Sequence, residues 1–143
     1  MKKLILVLFI GIMTVQGYAQ KQYLKNGVAL QGYDPVAYFE SNKAVQGDSE
    51  INTKHNRALY FFSSEKNKAL FLKTPEKYAP QYGGFCAYGV SENHLSPADP
   101  QAFTIVDNKL YLNYNLEVRK MWAKDRETCI KKANDNWTNL NKK

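Results

Sequence analysis

Apolar residues in this chain fall into short dense runs, separated by polar stretches that end in Asn, Asp, Gly or Pro. That punctuation predicts a small mixed fold. Ile51 to Phe62 reads as two short strands about a turn at His55-Asn56-Arg57, since Leu59, Tyr60, Phe61 and Phe62 suit a pleated, half-buried surface. Ser63 or Ser64 then caps a helix carrying Ala69, Leu70, Phe71 and Leu72. Thr74-Pro75-Glu76 signals a second helical turn with Lys77 and Tyr78. Upstream, Asp34-Pro35 predicts a cap and a proline-started short helix through Tyr38 and Phe39, followed by a polar connection from Ser41 to Glu50. Phe103 to Val106 and Lys109 to Tyr114 form a predicted hairpin, because Asp107-Asn108 tolerates the left-handed backbone of a tight turn. Beyond a cap at Asn115, Val118, Met121 and Trp122, then Ile130, Ala133, Trp137 and Leu140, recur at helical spacing. They predict a C-terminal helix lying across the sheet, with Asp125 as the candidate kink. The sum is an α+β domain, antiparallel hairpins with helices on one side.

The first residues follow another pattern. Two lysines precede an apolar run from Leu4 to Val15, and Gly17-Tyr18-Ala19 offers small residues where a signal peptidase reads. The run, about 12 residues, is short of the roughly 20 that span a bilayer, so the expectation is a cleaved signal over residues 1–19 and no membrane anchor. Residues 20–143 then form a single domain, periplasmic or secreted. Removing the two lysines lowers the net charge from +7 to +5. Six of the remaining fifteen lysines lie in the C-terminal helical region among Asp125, Glu127 and Asp135, the pattern of a solvated helix face, and nucleic acid is not an expected partner.

Cys86 and Cys129 are the only cysteines. A bond between them would close a loop of about 44 residues and stabilise by ~4 kcal/mol on the chain-entropy model. The expectation is nonetheless that Cys86 is buried and unbonded. Following Gly83-Gly84, it reads either as a small buried hydrophobe or, flanked by Phe85 and Tyr88, as a soft-metal ligand or redox centre. Cysteine with histidine would suit copper or another soft transition metal, and His94 is nearer to Cys86 in sequence than His55. Ten tyrosines and seven phenylalanines suit a core edge or a ligand pocket. The chain has no phosphate-binding glycine loop, no serine nucleophile elbow, no His-Glu-x-x-His and no Cys-x-x-Cys. Catalysis is therefore not the favoured reading.

Gly32-Tyr33-Asp34-Pro35-Val36-Ala37-Tyr38-Phe39, together with the segment from Tyr60 to Tyr88, resembles the YHS domain, a small module found alone in secreted bacterial proteins and appended to heavy-metal transporters and some oxygenases. The likeness to the stand-alone form extends through Thr104-Ile105-Val106-Asp107, Leu110 to Tyr114, and Trp137. Modules attached to metal transporters carry cysteines where this chain has Ala37 and Phe62 and near Asn67, so thiolate ligation at those positions is excluded. The resemblance implies an exported binding or accessory module for a small ligand, metal or cofactor. Tyr33, Asp34, Cys86 and Tyr88 are expected to converge on one concave site, with Cys86 and His94 the donors if a metal is held. A small redox or transfer enzyme using Cys86 and a structural partner-binding domain are the alternatives.

Overall fold

The computed structural model describes residues 19–142, so the expected signal segment lies, except for Ala19, outside the described residues. Strands β1 (Leu24–Lys25), β2 (Val28–Ala29), β3 (Asp48–His55) and β4 (Ala58–Phe62) form one sheet in the order β1-β2-β4-β3, while β5 (Asp99–Val106) pairs with β6 (Lys109–Asn113) in a second. The hairpins turn through Asn26-Gly27, Asn56-Arg57 and Asp107-Asn108, and each turn residue has positive φ. Such turns follow the right-handed twist of the strands they join. The hairpin at Asp107-Asn108 and the α+β class are as expected.

Three features of the strands differ from the sequence reading. The β1–β2 hairpin was not anticipated, and β2 runs parallel to β4 with Val28 opposite Leu59, so the first sheet is not purely antiparallel. β3 begins at Asp48, inside the stretch expected as a polar connection. Its first residues are exposed, and an irregularity between Asp48 and Asn52 shifts the register. Polar residues are admissible there because β3 is an edge strand of its sheet.

The helices are α1 (Ala37–Glu40), α2 (Glu65–Lys73), α3 (Pro75–Tyr78), α4 (Ala87–Ser91), α5 (Leu116–Lys124) and α6 (Arg126–Leu140). Ser64 caps α2 by accepting the Asn67 N–H at 3.1 Å, and Asn115 caps α5 by accepting the Val118 N–H at 2.8 Å. Pro35 sits in a turn ahead of α1 rather than at its first position. Asp34 Oδ1 accepts the Val36 N–H at 2.8 Å, which closes an Asx turn before the helix begins. The expected C-terminal helix is two helices, broken at Asp125, whose φ of −140° and ψ of 51° are not helical. It is α5 that lies on the β5–β6 hairpin, whereas α6 packs mainly against α4. Among the described residues no helix is long and apolar enough to cross a membrane.

Two hydrophobic clusters hold these elements together. The first gathers Val36, Tyr38, Tyr60, Phe62, Phe71 and Tyr78 with Leu110 and Leu112. The second gathers Tyr82, Ala87, Val90, Tyr111, Trp122 and Ala133. Strand β6 serves both through its pleat, Leu110 and Leu112 facing one cluster and Tyr111 the other.

Candidate functional site

Asp34 is fully buried, and its carboxylate is occupied by the fold. Oδ1 accepts from Val36 N and, at 3.3 Å, from Ala37 N. Oδ2 accepts from Ser63 N at 2.8 Å, Ser63 Oγ at 2.6 Å and Asn67 Nδ2 at 2.8 Å. A carboxylate sealed from water requires this degree of compensation. It ties the start of α1 to the β4–α2 junction. Tyr33, next to it, accepts a hydrogen bond from Gln101 Nε2 at its hydroxyl, 3.1 Å away.

Cys86 and Tyr88 are brought together by a different side chain. Asn113 Oδ1 accepts the Tyr88 N–H at 3.1 Å and lies 3.6 Å from Cys86 Sγ, within reach of the thiol proton. Sγ in turn accepts the Gly89 N–H at 3.5 Å, capping α4, and the Tyr114 N–H at 3.2 Å. Cys86 is 2% exposed and unbonded, as is the half-buried Cys129, whose thiol burial pushes up against the opposing pull of a Ser91 hydrogen bond. His94 is exposed. Its Nδ1 meets Ser96 Oγ at 3.0 Å, and its ring packs over Gly89. The hydrogen bonds of Asp34 and those of Cys86 share no residue. Among the described residues, no group of three or more His, Cys, Asp or Glu side chains comes together as a metal site would.

A concave surface lies away from these residues. A cleft of about 480 Å³ opens between the N-terminal segment, the β3–β4 turn and the turn before α4. Leu30, Tyr60 and Pro80 give it apolar walls, Arg57 and Glu76 give it charge, and His55 adds an imidazole. His55 Nε2 and Glu76 Oε1 are 3.1 Å apart. None of Tyr33, Asp34, Cys86 or Tyr88 lines it.

Two consecutive left-handed runs build its walls. Leu30, Gln31 and Gly32 have φ of 56°, 50° and 87°; Tyr82, Gly83 and Gly84 have 55°, 61° and 86°. A left-handed leucine is an outlier for its residue type, and such backbone costs about 1–3 kcal/mol for each non-glycine residue. The first run is held by Tyr33 N donating to Leu30 O at 2.9 Å and by Gln31 Nε2 donating to Ala98 O at 3.2 Å. In the second, a Cβ on Gly83 would collide with the carbonyl oxygen of Lys21, which crosses it on the segment whose Tyr23 N–H donates to Gly83 O at 2.9 Å. Glycine is obligatory there for both conformation and space.

Sequence reasoning missed this cleft. His55-Asn56-Arg57 reads as a turn, and nothing in the composition around Leu30 announces a left-handed leucine. The Gly83-Gly84 pair was the one visible signal, and it pointed to constrained backbone without saying what that backbone faces. Comparison with protein-family models, curated proteins and solved structures finds no match.

Proposed function

We propose that this chain is an exported binding module of YHS type that holds a small organic ligand in the cleft between the Leu30–Gly32 and Tyr82–Gly84 turns. Export rests on the Met1 to Ala19 pattern, and the family on the motifs around Asp34 and between Tyr60 and Tyr88. One observation carries the binding reading: two left-handed three-residue segments, distant in sequence and strained at Leu30, Gln31 and Tyr82, contribute Leu30, Gly83 and Gly84 to the wall of one cleft. Strain of this kind persists where the surrounding structure over-determines it, as at ligand sites. The volume falls within the ~300–1,000 Å³ of small-molecule sites.

Metal handling through Cys86 and His94 has less support. Cys86 Sγ is buried and already accepts two backbone N–H groups, and the side chain within reach of its thiol is the Asn113 amide. The same burial disfavours Cys86 as a reactive thiol, which needs exposure and an activating neighbour.

A ligand-detected NMR screen of neutral, cationic and anionic fragments, with binders mapped by amide shifts, tests the proposal. Shifts should concentrate on Leu30, Asn56, Gly83 and Gly84. Binders that map only around Cys86 and Asn113, or no binders from any class, would overturn the cleft. Elemental analysis of natively purified protein should find no stoichiometric copper or zinc.

A further inference from the structure

Tyr60 sits in the cleft wall. The residue is 2% exposed, its ring is stacked at 4.8 Å from that of Phe71, and its hydroxyl has no hydrogen-bond partner among the described residues. Buried Tyr78 and Tyr111 likewise show no hydroxyl partner among the described residues, whereas Tyr38 donates to Pro100 O at 2.8 Å and Tyr82 to Asn134 Oδ1 at 2.8 Å; of these five tyrosines Tyr60 is the one that lines this cleft. The hydroxyl is not among the sealed, unpartnered side-chain polar atoms of the described residues, which are Asn113 Nδ2 and Trp122 Nε1, so it is open to the cleft that Tyr60 lines. Arg57, on the same cleft, forms no ion pair among the described residues and is held in left-handed backbone with φ of 67°.

We propose that the cleft takes a small organic carboxylate, gripped by the Tyr60 hydroxyl and the Arg57 guanidinium, with its apolar part against Leu30 and Pro80. This rests on the binding reading above and supplies its ligand class. A guanidinium presents paired N–H donors that match a carboxylate, and a phenol adds one more. Burial, with a smaller contribution from Glu76, pushes the Tyr60 phenol up to about 12, so it is a proton donor at neutral pH. Glu76 would repel an anion, yet His55 Nε2 lies within hydrogen-bond distance, 3.1 Å, of its carboxylate and engages it. One free cation beside one engaged acid suits a monoanion better than the double charge of a phosphate. The apolar walls favour a carboxylate with a hydrocarbon body over a bare inorganic ion.

Titrating ¹⁵N-labelled protein with benzoate, benzyl alcohol and phenyl phosphate separates the outcomes. Benzoate should shift the amides of Leu30, Asn56, Arg57 and Gly83 and bind at least tenfold more tightly than either comparator. Arg57→Gln should weaken benzoate at least tenfold and leave benzyl alcohol unchanged. Tyr60→Phe should weaken benzoate three- to tenfold without lowering the melting temperature, because the hydroxyl has no protein partner to lose. A fall of several degrees in that variant would assign the hydroxyl to the fold and overturn its role. Equal binding of benzoate and benzyl alcohol, or indifference to Arg57→Gln, would overturn the carboxylate class while leaving the cleft as a binding site. Tighter phenyl phosphate would replace carboxylate with phosphate. Silence from all three probes overturns the carboxylate assignment, and the fragment screen decides the cleft independently.

Discussion

Asp34 and Asn113 are both sealed from solvent, one beside each hydrophobic cluster, yet they are treated differently by the structure around them. Every lone-pair direction of interest on Asp34 is used: two backbone donors reach one oxygen, and a backbone N–H, a hydroxyl and an amide reach the other. Asn113 is half satisfied. Its oxygen is fixed by the Tyr88 N–H, which rules out exchanging the amide's ends, and its Nδ2 is left without a partner, as is Trp122 Nε1 nearby in the chain. A network that is complete pins two segments of chain in one register, while an incomplete one contributes less and tolerates more change. The contrast places the specificity of the fold in the first region and relative latitude in the second.

The largest effect is expected from Asp34→Ala. It strands buried donors on Val36, Ala37 and Ser63, and should lower stability by about 3–5 kcal/mol in urea unfolding. Asn113→Ala losing as much as Asp34→Ala would break the comparison.

Alkaline pH probes the first region differently. The folded protein holds the Tyr60 proton up to about 12, against 10 for a free phenol, so Tyr60 contributes its full stability below pH 10 and loses it as pH rises toward 12. The loss is of order 3 kcal/mol for a shift of this size. Phenylalanine cannot ionise, so Tyr60→Phe should exceed the wild type in stability near pH 12 and match it at pH 7. Burial also raises Tyr38, and raises Tyr82 and Tyr111 in the second cluster. Phenolate absorbance and circular dichroism should therefore report one alkaline transition. Two separated transitions would show that the clusters unfold as independent units.

Asn113→Ala should cost about 1–2 kcal/mol, less than Asp34→Ala because the lost acceptor for Tyr88 N–H is offset by removal of an unpartnered donor. The smallest effect is a difference in labelling. Denatured, unreduced protein should yield two free thiols, and in the native state Cys129 should react before Cys86, which is the more deeply enclosed. Faster native labelling of Cys86 would reverse the assignment of the second region as merely structural.

What the chain's sequence determined by itself was local. Asn115 and Ser64 cap helices because their own oxygens reach N–H groups three residues on. Asp107-Asn108 turns a hairpin because both residues accept left-handed backbone. Gly83-Gly84 marks constrained backbone, and the apolar run from Leu110 to Leu112 announces a strand. These signals act over a few residues, and the covalent chain alone sets them. Tertiary structure decided the rest. Only the packing shows that Asp34 meets Ser63 and Asn67 across some thirty residues, that Cys86 and Tyr88 share Asn113, that Gly83 must admit the Lys21 carbonyl, and that Leu30, Arg57 and Tyr60 face one cleft. Those contacts depend on which distant segments pack together, a choice made by burial summed over the whole chain, and burial has no spacing to read.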